Sequence, residues 1–191
     1  RTIWYRWHVF WGDERCVPPE HADSNYRMAK EEFLDHVPIP ASQVHRMRGE
    51  VPPHKAAEEY ETVVHDMLQM PVPSFDLILL GLGDDGHTAS LFPGSDALQQ
   101  KKRLVVDNRA NDLHDQRITF TLPLINAARE IAFLVTDESK AEALRRVLEP
   151  TPAQRVPPAA LVQPGHGTVR WFVTREAAAL VKQIAGSVRK H

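Results

Sequence analysis

The stretch around which this chain is organised reads Phe75-Asp-Leu-Ile-Leu-Leu-Gly-Leu-Gly-Asp-Asp-Gly-His-Thr-Ala-Ser-Leu-Phe-Pro93. Its opening part, Phe75–Leu80, is nearly all apolar, which is typical of a strand buried on both faces in the middle of a sheet. A glycine-rich loop follows at once and carries Asp85 and His87. Because ligands in open α/β sheets bind at the carboxyl ends of strands, we expect a functional site in this loop.

Apolar runs rich in β-branched and aromatic residues predict further strands on either side of this stretch. The predicted strands are Trp7–Trp11, Phe75–Leu80, Leu104–Val106, Ile118–Leu122, Ile131–Val135 and Val169–Val173, with Ala160–Val162 as a weaker candidate.

Segments with helical period lie between the strands. Their apolar faces are Tyr26, Ala29, Phe33 and Val37; Ala57, Tyr60, Val64 and Met67; Leu144, Val147 and Leu148; and Ala177, Leu180, Val181 and Ile184. Ser24 is placed to cap the first helix, and Asp137 or Ser139 to start the third. Gly186 is placed to end the last helix. This alternation predicts an α/β fold with a mostly parallel sheet and helices on its faces.

Bulk composition narrows the class of protein. The chain has 191 residues, of which 42% are hydrophobic, and a net charge of −2. A chain of this length suits one domain, or one domain and part of another, and the charge balance favours neither a nucleic-acid nor a membrane partner. Cys16 is the only cysteine, so no internal disulfide can form, and we expect a reducing, cytoplasmic location.

A nucleotide-binding interpretation competes for the glycine loop. The loop matches the pattern G-x-G-x-x-G at Gly81, Gly83 and Gly86. Asp107 even stands where an acid would contact a ribose. Asp84 and Asp85 oppose this interpretation, because two carboxylates would repel a pyrophosphate. The helix expected after the loop would also be short, since Pro93 and Gly94 end it.

The alternative is that the loop presents His87 for proton transfer. Asp85 is close enough in sequence to orient the imidazole, and the amides of the expected helix N-terminus would stabilise developing negative charge. A surface histidine beside a tight turn is the simpler explanation, and position alone does not separate the two.

Several segments resemble one family, the 6-phosphogluconolactonases. They are Asp85-Gly-His-Thr-Ala-Ser-Leu-Phe-Pro93; Phe10-Trp-Gly-Asp-Glu-Arg-Cys-Val-Pro18; Asp23-Ser-Asn25; Arg117-Ile-Thr-Phe-Thr-Leu-Pro-Leu-Ile-Asn126; and Pro158-Ala-Ala-Leu-Val-Gln-Pro164 followed by Trp171-Phe172. These segments occur in the family's order and span nearly the whole chain, which is far more specific than one short motif.

This resemblance implies a modified doubly wound sheet, related to the sugar-phosphate isomerases and deaminases. It also implies hydrolysis of 6-phospho-D-glucono-1,5-lactone to 6-phosphogluconate, the second step of the oxidative pentose phosphate pathway. A glucosamine-6-phosphate deaminase is the nearest alternative enzyme, but the Asp13-Glu-Arg15 and Ala89-Ser-Leu-Phe-Pro93 segments differ from its motifs. A non-catalytic sugar-phosphate-binding module is the third hypothesis, and retention of His87 disfavours it.

The resemblance also assigns site residues. His87 would be the general base and Asp85 its partner. Arg15 and Arg117 would bind the phosphate, although a surface salt bridge is the alternative for Arg117. The other expected substrate-binding residues are Asp13, Gly83, Gly86 and Asn25. Asp13 has a structural role as its alternative, and Asn25 a helix-capping one.

No covalent nucleophile, metal or cofactor is expected. The histidines show no metal-ligand spacing, and no G-x-S-x-G elbow is present. Cys16 fits a small core residue better than a reactive thiol, despite its neighbour Arg15. We expect the partner to be a small phosphorylated sugar lactone, and the protein to be a monomer or a weak homo-oligomer.

The family pattern includes an N-terminal strand–loop–helix unit with a Gly-Gly-Ser-type loop ahead of the Asp-Glu-Arg strand. Residues 1–191 start shortly before the first predicted strand, at Arg1. We therefore expect a single α/β lactonase domain that lacks this unit and is unstable and nearly inactive by itself. The natural protein would then be about 40–60 residues longer.

Overall fold

The computed structural model describes residues 2–110 and 115–182. Its strands are β1 (Val9–Phe10), β2 (Asp13–Arg15), β3 (Val44–His45), β4 (Leu77–Leu80), β5 (Val105–Arg109), β6 (Gln116–Phe120), β7 (Glu130–Val135) and β8 (Thr168–Val173). Its α-helices are α1 (Asn25–Glu32), α2 (Pro53–Leu68), α3 (Leu122–Ile125) and α4 (Ala141–Leu148).

The described strands form a parallel sheet of three strands, called the central sheet below, an antiparallel sheet of three strands and a two-stranded sheet. The central sheet has the order β4-β7-β8, the antiparallel sheet has the order β2-β6-β5, and β1 pairs in parallel with β3. Helices and parallel pairing together confirm the α/β class predicted from the sequence. The loop after β4 therefore lies at the carboxyl edge of a parallel sheet, as expected.

Long apolar runs were the reliable strand predictions. The runs at Phe75–Leu80, Ile131–Val135 and Val169–Val173 became β4, β7 and β8, which pack one face with helix α4 in one hydrophobic core. The predicted burial of Phe75–Leu80 on both faces was wrong, since β4 ends the described order β4-β7-β8 and leaves Leu77 and Leu79 49% and 60% exposed. In that core the Phe133 and Trp171 rings stack with their centroids 3.9 Å apart. Adjacent parallel strands place these two rings side by side, because Phe133 and Trp171 are register partners.

Two strand predictions were wrong or too long. Ala160–Val162 is not a strand, because Pro158 starts a 3₁₀ helix there that ends at Leu161. The predicted strand Trp7–Trp11 is reduced to Val9–Phe10. A proline fixes φ near the helical value and donates no amide hydrogen, so it favours the start of a helical turn over a strand.

The helix predictions were mostly confirmed. Ser24 caps α1, since its side chain accepts a hydrogen bond from the Arg27 amide. Asp137 accepts from the Ser139 amide and starts the 3₁₀ turn that leads into α4. The last predicted helix was not confirmed. Ala177 and Leu180 lie in turns, and Ile184 and Gly186 lie outside the described residues. Within the described ranges, no helix is both long enough and apolar enough to cross a membrane.

Candidate functional site

The loop after β4 brings Asp85 and His87 into contact. Asp85 Oδ1 lies 2.6 Å from His87 Nδ1 and also accepts a hydrogen bond from the His87 amide at 2.9 Å. Because a carboxylate only accepts, Nδ1 carries the proton and Nε2 is left as the basic nitrogen. The His87 side chain is 33% exposed, so solvent reaches it. This arrangement can accept a proton from water.

Two glycines shape this loop. A β-carbon at Gly83 would lie 2.1 Å from His87 Nδ1, so the imidazole occupies the space that a side chain would need. Gly86 has a φ of +87°, and a β-carbon there would lie 2.6 Å from Cβ of Pro157. The backbone of Gly86 also accepts a hydrogen bond from the Ala159 amide. Both predicted glycines therefore have steric reasons to be glycine.

The helix expected after His87 is not present. Thr88 and Leu91 instead form an isolated antiparallel bridge, and Ala89 has a φ of +47°. In this tight turn the Leu91 amide donates to the Thr88 carbonyl, and Ser90 is hydrogen-bonded to the neighbouring antiparallel sheet. Without that helix, the loop lacks the N-terminal amides that we expected to stabilise negative charge. The same absence removes the support that a dinucleotide-binding interpretation needs.

Arg15 and Arg117 lie side by side on the antiparallel sheet. They are register partners in β2 and β6, and directly opposed residues share one face of a sheet. The Arg15 Nη1 donates to the Asp23 carbonyl at 2.8 Å, and Arg117 Nη2 contacts Asp115 Oδ2 at 2.6 Å. In the described part of the chain, the buried Nε atoms of both arginines have no hydrogen-bond partner. Two opposed cations repel each other, and a bound anion would offset that repulsion.

Asp13 and Asn25 also lie together. The Asn25 side-chain amide donates to the Asp13 carbonyl at 2.9 Å and to its Oδ1 at 3.3 Å. The other carboxylate oxygen of Asp13 accepts a hydrogen bond from Ser90 Oγ at 2.7 Å. Since Ser90 is in the same loop as His87, Asp13 connects that loop to the strand that carries Arg15.

Ser90, Asn108 and Thr119 were not predicted from the sequence as site residues. Ser90 is 2% exposed, and its amide donates to Thr119 Oγ1 at 3.2 Å while its carbonyl accepts from Asn108 Nδ2 at 2.7 Å. The available signal was the position of Ser90 in the same family-like segment as His87. Its partners lie on other strands, so sequence spacing does not reveal them.

Glu14 was also missed, although it organises the strand that carries Arg15. It is 2% exposed and lies on the opposite face of β2 from Asp13 and Arg15. Its carboxylate accepts hydrogen bonds from four groups, which are the amides of Arg15, Asn25 and Tyr26 and the Ser24 hydroxyl. A carboxylate at the N-terminus of α1 interacts favourably with the helix dipole. Glu14 therefore fixes α1 against β2.

Asp84, to which the sequence assigned no role, connects the loop to the segment around α4. Its carboxylate contacts the Lys140 ammonium, and its carbonyl accepts from Arg146 Nη2 at 2.8 Å. The loop is thus held on one side by the segment around α4 and on the other by the antiparallel sheet. Among residues 2–110 and 115–182, no cluster of three or more His, Cys, Asp or Glu side chains could hold a metal ion.

Comparison with known proteins identifies the family. Residues 1–171 match the family described as glucosamine-6-phosphate isomerases/6-phosphogluconolactonase. The chain belongs to this family. A 6-phosphogluconolactonase of Synechocystis sp. is 45% identical over 179 residues, which cover 91% of this chain and 73% of the relative. A human 6-phosphogluconolactonase is 42% identical over 178 residues, which cover 92% of this chain and 69% of the relative.

A solved structure shares the same fold. The 6-phosphogluconolactonase from Trypanosoma cruzi superposes with a TM-score of 0.82 at 32% identity, covering 93% of this chain and 73% of that one. The family expected from the sequence motifs is therefore confirmed, together with its sugar-phosphate isomerase type of fold. The N-terminal unit expected from the family pattern stays a prediction.

Proposed function

We propose that this chain hydrolyses 6-phospho-D-glucono-1,5-lactone to 6-phosphogluconate in the oxidative pentose phosphate pathway, with His87 as general base. The observation that carries the proposal is the 2.6 Å contact between Asp85 Oδ1 and His87 Nδ1. It sets the tautomer that leaves Nε2 able to take a proton. The names of the most similar relatives, which are 6-phosphogluconolactonases, support the choice of substrate.

The reaction needs only proton transfer and positioning. His87 Nε2 takes a proton from water while the water oxygen attacks the C1 carbonyl carbon, and the carbonyl electron pair moves onto oxygen. When the tetrahedral intermediate collapses, C1=O re-forms, the bond from C1 to the ring oxygen breaks, and the imidazolium returns its proton to that oxygen. Asp85 stabilises the imidazolium through the intervening step. No cofactor or metal enters this scheme.

The phosphate on C6 needs cationic donors of its own. Arg15 and Arg117 supply two guanidinium groups on one face of the antiparallel sheet. Planar guanidinium groups suit a phosphate dianion because they donate two hydrogen bonds in a fixed geometry. In this proposal Asp13 and Asn25 line the arginine side of the site. Gly83 and Gly86 line the histidine side.

The remaining expectations are part of the same proposal. The partner is a small phosphorylated lactone, and neither nucleic acid nor a membrane takes part. The proposal also includes a cytoplasmic location, which the lone cysteine favours, and a monomeric or weakly associated state.

A direct assay tests the proposal. The rate of opening of freshly generated 6-phosphogluconolactone is measured and corrected for spontaneous hydrolysis. We expect His87→Ala to lower kcat by roughly 10²–10⁴-fold with little change in KM, because it removes the proton acceptor. His54→Ala is the matched control, since His54 is exposed on α2.

Three outcomes decide between the hypotheses. A His87→Ala variant that keeps at least half of the wild-type kcat removes His87 from the mechanism. Deamination of glucosamine 6-phosphate without lactone hydrolysis assigns the chain to the deaminase class instead. Binding of the sugar phosphate without turnover of either substrate leaves a non-catalytic binding module.

A further inference from the structure

Ser90 makes one hydrogen bond to each strand of the antiparallel sheet. Its hydroxyl donates to Asp13 of β2, its amide donates to Thr119 of β6, and its carbonyl accepts from Asn108 of β5. The donor–acceptor distances are 2.7, 3.2 and 2.7 Å, and the residue is buried. The bond to the Asp13 carboxylate is charge-assisted and therefore the strongest of the three. This set of contacts is called the Ser90 anchor below.

The Ser90 anchor lies on the face of the sheet that carries the two arginines. Asp13 is the register partner of Thr119, and Arg15 is the partner of Arg117, which in turn pairs with Asn108. Residues two apart on a strand share a face, and so do register partners. Ser90 therefore attaches the loop to the sheet beside the arginines. This attachment point is three residues after His87 in the sequence.

We propose that Ser90 is a positioning residue that sets the separation between His87 and the arginine pair. This inference rests on the proposed function, in which the arginines hold the phosphate and His87 serves C1. The phosphate on C6 and the carbonyl at C1 are separate groups of the substrate, joined through C5 and the ring oxygen. One bound substrate can contact both the arginines and His87 only if the loop and the antiparallel sheet stay at a fixed distance from each other. The Ser90 anchor supplies that link, while the Asp85–His87 contact lies within the loop itself.

The two lactones distinguish a positioning role from a merely structural one. A substrate held by its phosphate cannot follow His87 when the loop shifts, and a misplacement of about 1 Å costs up to about 100-fold in rate. Unphosphorylated glucono-1,5-lactone has no phosphate to hold, so it can move with the imidazole. Ser90→Ala should therefore lower kcat/KM about 10- to 100-fold on the phosphorylated lactone and less than about 3-fold on the unphosphorylated one.

The experiment compares Ser90→Ala with a matched control in the full natural chain. Ser95→Ala makes the same chemical change in the next part of the chain, where the buried Ser95 hydroxyl has no hydrogen-bond partner among the described residues. Asn108→Ala is the second variant, because it removes the β5 bond to the Ser90 carbonyl. Both lactones are assayed with each variant, and the melting temperature is recorded beside the rates.

The result expected is a selective loss on the phosphorylated lactone for Ser90→Ala, a smaller loss of the same kind for Asn108→Ala, and no loss for Ser95→Ala. Equal losses on both lactones, or rates equal to those of Ser95→Ala, overturn the positioning role while leaving the proposed function intact. Absence of lactonase activity in the wild-type chain overturns the proposed function, and this inference falls with it. Lactonase activity of the wild-type chain that depends on His87 therefore distinguishes a failure of the positioning role from a failure of the proposed function.

Discussion

At the scale of single residues, the surroundings of Cys16 in the fold distinguish a reactive thiolate from a small core residue. The sequence places it beside Arg15, which would favour a reactive thiolate, but also allows a small core residue. Burial raises the pKa of the Cys16 thiol to about 11, and the negative charge of Asp107 adds to the rise while Arg117 lowers it. The second interpretation therefore describes this cysteine, which packs against the hydrophobic core.

This raised pKa predicts a pH dependence of stability. The fold favours the neutral thiol over the thiolate. The contribution of the neutral thiol to the free energy of unfolding is therefore fully present below the pKa of an unfolded cysteine, about 8.5, and is lost as pH rises through about 11. We expect the free energy of unfolding to fall more steeply over this interval for the natural chain than for Cys16→Ala. Urea titrations of both proteins at several pH values measure the difference, and parallel pH profiles would contradict the assignment.

At the scale of an element, β2 buries one acid on one face and places two partly buried candidate site residues on the other. Glu14 faces inward and accepts hydrogen bonds from the start of α1, while Asp13 and Arg15 face the other way. A strand this short and polar has no apolar pattern that sequence analysis could detect. It forms because Glu14 is satisfied by α1 and because β6 supplies a pairing partner.

The register between β2 and β6 predicts a shared role for Arg15 and Arg117. Changing either to alanine should cost about 2–4 kcal/mol in kcat/KM on the phosphorylated lactone, because a charge-assisted contact to phosphate is lost. The cost should be much smaller on glucono-1,5-lactone. Steady-state kinetics of both substrates measure the difference.

Arg109→Ala is the matched control for that experiment. Arg109 lies on β5 of the same sheet, next to Asn108, and therefore points to the opposite face from the arginine pair. Losses of equal size on both substrates for Arg15→Ala or Arg117→Ala would show that these arginines act through folding or through the reaction centre.

At the scale of the whole molecule, aromatic rings join the separate sheets. The Phe75 ring lies just before β4 and contacts Phe10 of β1 and Phe120 of β6, with centroid distances of 5.1 and 5.2 Å. One side chain thus packs the start of the central sheet against both other sheets. The candidate site lies across the same junction, because the loop after β4 is anchored to the antiparallel sheet through Ser90.

We expect Phe75→Ala to destabilise the protein by about 3–5 kcal/mol, as is usual for removing a buried phenylalanine. Such a loss is a large share of the about 5–15 kcal/mol that stabilises a typical domain. Phe172→Ala is the control, since Phe172 is 54% exposed and should cost far less. Equilibrium unfolding in urea compares the two variants, and equal losses would mean that Phe75 does not join the sheets.

Features that depend on a local pattern of residues could be predicted from the sequence. Long apolar runs specified β4, β7 and β8, because runs of β-branched and aromatic residues are typical of strands. Ser24 specified the start of α1, because its side chain needs only the nearby Arg27 amide. The contact between Asp85 and His87 could be predicted for the same reason, since the two residues are close neighbours in one loop.

Features that depend on partners distant in sequence are visible only in the folded protein. The strand β2 exists because it pairs with β6, about a hundred residues away, and its own polar sequence carries no strand signal. The turn after His87 stands where a helix was predicted, and Ser90 in this turn is hydrogen-bonded to three strands. Hydrogen bonds and pairings between remote segments leave no periodic pattern in the sequence, so their geometry emerges only when the sheets assemble.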